Sequence, residues 1–134
     1  MGVCEIINAC NFPAAVPFWK MRPAIMCGNT CVWKSPQDAP LLSFMLTRIM
    51  HESGLPNGVI NLVHGKGSGA GQYLVDAVDE GLLNKISFTG STSVGKMIGE
   101  VCGRNLVSAS LELGGKNASL SLWAANKGGL VTCS

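Results

Sequence analysis

The stretch 87–96 constrains the fold of this chain most strongly. The apolar run 85–88 has the pattern of a buried strand, and it leads into Gly90 and Gly95, which are separated by hydroxyl side chains. Apolar residues then recur with helical spacing at Val94, Met97, Ile98, Val101 and Cys102. A strand, a glycine turn and a helix start leave free backbone N–H groups and the positive end of the helix dipole at the turn. The stretch therefore predicts an anion site that suits a phosphate.

Further apolar runs predict the rest of the fold. They indicate strands at residues 3–7, 30–34, 59–63, 108–113 and 118–123. Helical spacing between the strands predicts buried stripes at Val16, Trp19, Pro23, Ala24 and Cys27, at Leu42, Met45, Leu46, Ile49 and Met50, and at Leu74, Ala77 and Val78. Strands that alternate with helices favour right-handed crossovers. We expect a doubly wound, largely parallel α/β sheet (Rossmann-like) with helices on both faces.

The low charge of the chain suggests that part of its surface is normally covered. Only 13% of the residues are charged, against about 25% in an ordinary soluble domain, while 47% are hydrophobic. A missing part of the chain or other subunits could cover such faces. Together with a core strand that begins almost at residue 1, this composition favours a fragment of a larger enzyme.

Composition also excludes several classes of function. The net charge is +2 and there is no basic run, so nothing indicates a nucleic acid or an anionic membrane as partner. The sequence has neither an apolar stretch of about 20 residues nor a signal peptide. Its six cysteines form no C-x-x-C pair, so we expect reduced thiols, no metal site and a cytoplasmic protein.

One interpretation of the stretch 87–96 is a nucleotide-binding P-loop. Gly90 to Lys96 reads G-x-x-x-x-G-K, but Met97 stands where a Mg²⁺-binding hydroxyl should follow. Only 38 residues follow Lys96, too few for the rest of a nucleotide hydrolase. The P-loop is therefore the weaker interpretation.

The other interpretation rests on four motifs in order. F-T-G-S-T-x-V-G-K at 88–96 is followed by E-L-G-G-K at 112–116, and upstream stand Asn11-Phe12-Pro13 and Gly28-Asn29-Thr30 with Lys34. From about residue 2 to residue 117 the chain resembles the NAD(P)-dependent aldehyde dehydrogenase family. Residues 27–31 and 33–34 are most similar to the branch that acts on α-aminoadipic semialdehyde.

The resemblance implies two catalytic side chains. The amide of Asn11 would donate to the substrate oxygen as it becomes an oxyanion, and Glu112 would be the general base that activates water against a thioester. The nucleophilic cysteine of the family lies a few dozen residues beyond this glutamate, whereas only 22 residues follow Glu112 here. Cys133 stands too early to match it. We expect the chain alone to be inactive, because the catalytic domain is absent.

The resemblance also implies the cofactor, NAD or NADP. Lys34 would hold the adenosine ribose, and Gln37 stands where the family commonly has a ribose-binding glutamate, so we expect both cofactors to be tolerated. The G-x-G-x-x-A run that contains Gly67 would lie beside the adenine. The remaining cofactor contacts are expected from the two later motifs: Gly90, Ser91, Thr92, Val94, Gly95, Leu113 and Gly114. His51 and His64 have no partner pattern and are expected to be structural.

These inferences divide the chain into two parts. Residues 1–118 would be a partial NAD(P)-binding domain, and residues 119–134 a divergent C-terminal tail, in which residues 124–134 have no periodicity. The complete enzyme would oxidise an aldehyde and form a homo-oligomer. Three alternatives remain: a non-catalytic dinucleotide-binding module, a P-loop-type phosphate binder and a purely structural fragment.

Overall fold

A five-stranded parallel sheet forms the centre of the molecule. The computed structural model describes residues 2–116 and the short strands at 119–121 and 131–133. The five strands are β1 (Val3–Ile7), β2 (Thr30–Lys34), β3 (Ile60–Val63), β4 (Lys85–Gly90) and β5 (Ser108–Leu113). Their order across the sheet is β3-β2-β1-β4-β5, and every neighbouring pair is parallel. The predicted doubly wound α/β fold is confirmed.

Four helices connect these strands. They are α1 (Ala15–Met26), α2 (Pro40–Glu52), α3 (Gln72–Asp79) and α4 (Thr92–Arg104), and a single turn, Gly67–Gly71, precedes α3. Pro40 occupies the first turn of α2. Backbone N–H groups in the first turn have no helical partner, so the missing N–H of proline costs no hydrogen bond. Gly81 ends the turn after α3 with φ +72°, a conformation that favours glycine.

Two apolar cores lie on opposite faces of the sheet. On one face α1 and α2 pack around Trp33, Ile6 and Met21, and on the other α3 and α4 pack around Ile86 and Phe88. The helices that follow β1 and β4 therefore leave the sheet on opposite sides. Because the strand order reverses between these two strands, a crevice opens there at their carboxyl ends.

The prediction of which side of α1 and of α2 is buried is wrong. The buried residues of α1 are Pro17 and Met21, whereas Trp19 is 67% exposed. In α2 the buried residue is Ser43, whose hydroxyl donates to the carbonyl oxygen of Ala39 at 3.1 Å. Three residues predicted to be buried in α2 are exposed: Leu42, Met45 and Ile49. Both helices are apolar on several sides, so periodicity alone does not select the face that packs on the sheet.

The last two strands form a separate ribbon. β6 (Ser119–Ser121) pairs antiparallel with β7 (Val131–Cys133) and does not join the main sheet. A strand thus lies within residues 124–134, for which the sequence predicts only an unpatterned tail; three residues are too few to show a strand period. The rest of the predicted strand 118–123 lies outside the described residues, and the proposed domain boundary after residue 118 stays a prediction.

Several large apolar side chains of α1 and α2 are exposed. Met26 is 86% exposed and Leu41 is 72% exposed, and Phe44 and Ile49 are also exposed. Contiguous apolar surface on a monomer commonly marks an interaction site or a tendency to associate. Within residues 2–116, no helix combines the length and apolar character needed to cross a membrane.

The isolated chain is expected to self-associate or to bind hydrophobic dyes, because this apolar surface is exposed to water. Sedimentation velocity and dye fluorescence would measure both properties. A variant carrying Leu41→Lys and Phe44→Lys should show less of each, since both side chains lie on the outside of α2. A monomeric chain that does not increase the fluorescence of the dye would contradict the expectation.

Candidate functional site

A cleft lies at the crevice between β1 and β4. It has a volume of about 950 Å³, and its walls are residues 9–11, one face of α1, residues 89–91 and residues 112–114. We call it the α1 cleft. Asn11 and Glu112, the two predicted catalytic residues, both line it, as do four predicted cofactor residues: Gly90, Ser91, Leu113 and Gly114. Parallel strands bring these distant segments together, because their carboxyl ends meet at one edge of the sheet.

The N-terminus of α4 opens beside this cleft. Ser91 is the N-cap residue, and its Oγ accepts a hydrogen bond from the N–H of Val94 at 3.4 Å. The first helical bond runs from the N–H of Gly95 to the carbonyl oxygen of Ser91 at 3.0 Å. The N–H groups of Thr92 and Ser93 come before that bond, so they have no partner in a preceding helical turn. Such a helix start attracts an anion.

Two glycines keep the backbone at this helix start close to the sheet. Gly95 is buried, and a Cβ at this position would overlap the side chain of Leu113 on β5. A Cβ at Gly90 would stand 2.5 Å from the ring of Phe88, which is itself buried in the core. The absence of both side chains allows β4, β5 and α4 to meet at the cleft.

Lys20 of α1 lines the same cleft and lies near Glu112. Its Nζ donates to Ser87 Oγ at 3.1 Å. Burial lowers the pKa of the Lys20 ammonium, while the negative charge of Glu112 opposes that shift. Glu112 is exposed at the end of β5, so water can reach its carboxylate.

Aromatic side chains form the outer side of the α1 cleft. Trp19 lines it, and the ring of Phe12 stacks on Trp19 with their centroids 6.2 Å apart. Val16 adds a further apolar contact surface on α1. An apolar wall facing a polar edge suits a small organic molecule that carries one polar group.

The second cleft lies where β2 and β3 end and α2 begins. It has a volume of about 360 Å³ and is lined by Ser35, Gln37, Asp38, Pro40, His64, Gly65 and Lys66. We call it the α2 cleft. It contains Gln37, one of the predicted ribose contacts, and Asp38 places a carboxylate beside it. The negative charge that Gln37 lacks is therefore present one residue later.

Lys34 lies beneath the glycine-rich loop of residues 65–71 and lines neither cleft. The residue is only 5% exposed, and its Cε would be 4.0 Å from a Cβ placed on Gly71. Burial lowers the pKa of the Lys34 ammonium, and the charge of Asp38 opposes that shift. Neither cleft is lined by four other predicted contacts: Gly67, Thr92, Val94 and Gly95. These four belong to the segments directly next to the clefts.

Sequence reasoning missed several residues of the two clefts. Lys20, Trp19 and Cys10 line the α1 cleft, and Lys66 lines the α2 cleft. His64, which the sequence predicts to be structural, is exposed and lines the α2 cleft, with Nδ1 2.7 Å from Ser35 Oγ; its role stays a prediction. The position of His64 directly after an apolar strand was a signal that could have identified it. In the described part of the chain, no group of three His, Cys, Asp or Glu side chains could hold a metal ion.

Comparison with known proteins decides the family. Residues 1–127 match the model of the aldehyde dehydrogenase family. The chain belongs to the aldehyde dehydrogenase family. Phenylacetaldehyde dehydrogenase of Pseudomonas fluorescens is 44% identical over 122 residues, which are 91% of this chain and 24% of that protein. Human aldehyde dehydrogenase 1A1 is 42% identical over 123 residues, which are also 91% of this chain and 24% of that protein.

Solved structures of the family show the same fold. The NAD+ complex of aldehyde dehydrogenase from Bacillus cereus is 39% identical, with a TM-score of 0.80, over 86% of this chain and 23% of that one. This chain therefore spans about a quarter of the length of the aldehyde dehydrogenases that it matches. The relation to the α-aminoadipic semialdehyde branch stays a prediction.

Proposed function

We propose that this chain supplies the cofactor-binding part, the oxyanion donor and the general base of an aldehyde dehydrogenase. The bound nicotinamide cofactor, NAD or NADP, would accept a hydride as the aldehyde is oxidised to a carboxylic acid. One observation carries the proposal: the α1 cleft brings Asn11, Glu112 and the open N-terminus of α4 to the same crevice. The homo-oligomeric state of the complete enzyme belongs to the proposal as well.

The start of α4 would hold the pyrophosphate of the cofactor. The N–H groups of Thr92 and Ser93 are free for phosphate oxygens, and the helix dipole adds a favourable charge. Ser91 Oγ already accepts from Val94, so its own hydrogen can be donated to a phosphate.

Asn11 and Glu112 would act at the reacting end of the cleft. The amide of Asn11 is exposed and can donate to a substrate oxygen, which stabilises the negative charge that develops there. The Glu112 carboxylate can take a proton from water that attacks an acyl intermediate. Lys20 lies close enough to attract that carboxylate and thereby to position it.

Calorimetric titration of the chain with NAD+ and with NADP+ tests the proposed function. Saturable binding of at least one of the two cofactors is expected. Mg²⁺-ATP is the matched control, because a P-loop-type site would bind it and the proposed site would not. Binding of Mg²⁺-ATP without binding of either nicotinamide cofactor would contradict the proposal.

The isolated chain is expected to show no aldehyde oxidation, because the proposal assigns an amide and a carboxylate to it but no nucleophile. Without a thiolate no thiohemiacetal forms with the aldehyde, so there is no hydride donor and no thioester for water to hydrolyse. Formation of NADH or NADPH with a panel of aldehydes would be measured by absorbance. Cys10 lines the cleft, so Cys10→Ser and Cys133→Ser are the controls. Turnover that either substitution abolishes would contradict the expectation.

A further inference from the structure

A third cleft lies between α1 and the strands β1, β4 and β5. It has a volume of about 350 Å³ and shares only Trp19 and Lys20 with the α1 cleft. We call it the lysine cleft, because Lys20 and Lys85 both line it. Among the residues that the structure describes, no Asp or Glu side chain lines it. Two positive charges therefore face this cleft without a carboxylate on its wall.

The register of β4 and β5 places hydroxyl groups beside both lysines. Lys85 on β4 is opposite Ser108 on β5, and its Nζ donates to Ser108 Oγ at 3.3 Å. The next pair on the same face is Ser87 and Ser110, which both line the cleft. Lys20 reaches from α1 and donates through Nζ to Ser87 Oγ at 3.1 Å. A hydroxyl that accepts from an ammonium group keeps its own hydrogen for another acceptor, so the cleft combines charged and neutral donors for an oxyanion.

The positive charge of the two lysines is only partly compensated. Burial lowers the pKa of the Lys20 ammonium, the charge of Glu112 opposes that shift, and the charge of Lys85 adds to it. Glu112 lines the α1 cleft and acts on Lys20 from there. Within the described part of the chain, Lys85 forms no salt bridge. An anion bound between the two ammonium groups would relieve the repulsion between them.

The other walls of the lysine cleft favour an organic anion over an inorganic one. Apolar surface is supplied by Ile6, Trp19, Pro23 and Ala24. A free phosphate or sulfate would leave this surface without a contact, whereas the body of an organic acid would cover it. The volume is near the lower end of the range of about 300–1,000 Å³ for pockets that take organic ligands, so the ligand must be small.

We propose that the lysine cleft binds a small organic monocarboxylate, with its carboxylate between Lys20 and Lys85 and its apolar body against Trp19. A carboxylate forms charge-assisted hydrogen bonds with both ammonium groups, and these are stronger than bonds between neutral partners. The inference does not depend on cofactor binding, because no residue of α4 or of its N-cap lines this cleft.

Calorimetric titration of the 134-residue chain with benzoate tests the inference, because benzoate combines a carboxylate with an apolar ring. Saturable binding is expected. Benzyl alcohol has the same ring without the charge, and acetate has the charge without the ring, so each should bind roughly tenfold more weakly or worse. Absence of saturable benzoate binding would overturn the inference, and so would equal binding of benzoate and benzyl alcohol.

Substitutions of Lys85 locate the charge that matters. Lys85→Gln should weaken benzoate roughly tenfold, because an amide can still donate to Ser108 but carries no charge. Lys85→Arg keeps the charge and should retain most of the affinity. Arg48→Gln is the matched control, since it removes one positive charge from the exposed surface of α2 outside the cleft, and it should leave benzoate binding unchanged.

Backbone amide shifts during the benzoate titration locate the ligand. Shifts centred on residues 85–87 and 108–110 are expected, because these segments form the floor of the lysine cleft. If the shifts are centred on residues 91–95 instead, benzoate binds at the start of α4 and the inference is overturned. Equal affinities of Lys85→Gln and Arg48→Gln for benzoate would overturn it as well. Neither result would affect the proposed function, which NAD+ and NADP+ titrations test separately.

Discussion

Trp33→Ala is expected to lower the free energy of unfolding by about 3–5 kcal/mol, the usual cost of removing a large aromatic side chain from a core. Trp33 is 0% exposed on β2 and belongs to the core beneath α1 and α2. Its Nε1–H donates to Asn8 Oδ1 at 2.8 Å, and Asn8 is itself buried. The substitution therefore leaves a cavity and an unpaired buried acceptor.

The same substitution should also weaken the site, because Asn8 begins the loop that carries Asn11. Urea unfolding followed by circular dichroism would measure the loss. Trp19→Ala is a matched control, since Trp19 is 67% exposed and its removal should cost little stability. Equal losses in the two variants would show that Trp33 is not the core residue described here.

Glu5→Gln is expected to remove most of the pH dependence of stability between about pH 5 and pH 8. Glu5 is 0% exposed in the middle of β1, and neither carboxylate oxygen has a hydrogen-bond partner among the described residues. Burial raises the pKa of this carboxyl group from 4.5 to about 8. The folded chain therefore keeps the proton in a range where the unfolded chain has released it.

The sign of the effect follows from this difference in bound protons. Below pH 4.5 the carboxyl group is protonated in both states and the contribution of Glu5 to stability is largest; this contribution then falls as the pH rises and levels off above about 8. Each pH unit in that interval costs up to about 1.4 kcal/mol. The Cys102 thiol titrates outside the interval, because burial and then the charge of Glu5 raise its pKa above 9.0.

Thermal unfolding of wild type and Glu5→Gln across this pH range would measure the difference. Glu80→Gln is a suitable control, because Glu80 is an exposed glutamate after α3. A wild-type chain that becomes more stable from pH 5 to pH 8 relative to Glu5→Gln would show that Glu5 is ionised inside the fold.

The strands could be predicted from the sequence much better than the packing of the helices. β1, β2 and β5 have the bounds that the sequence indicates. β1 and β2 are largely buried and read as continuous apolar segments, as strands inside a parallel sheet do, whereas β5 is an edge strand whose residues are mostly exposed. In α1 the only charged residues are Lys20 and Arg22. A helix that is apolar on nearly every side does not reveal which side packs, so the structure was needed to show that Met21 faces the core and Trp19 does not.

The site was predictable where it depends on strand ends and not where it depends on helix orientation. Asn11 and Ser91 follow the buried strands β1 and β4, and Glu112 lies near the end of β5. Parallel strands bring such positions to one edge. Lys20 reaches the same cleft only because of the way α1 is rotated on the sheet. Asp38 and Lys66 meet across the α2 cleft because two separate loops approach each other, which no local pattern specifies.

Backbone amide shifts during an NAD+ titration test the central claim most directly. The account places the cofactor phosphates at the start of α4, so the N–H signals of residues 90–95 should shift progressively and saturate together. Signals from the far end of α4, near Arg104, should remain in place and act as the internal control. Saturable shifts centred on Ser91 to Gly95 are the predicted result; binding without shifts in residues 90–95 would contradict the account.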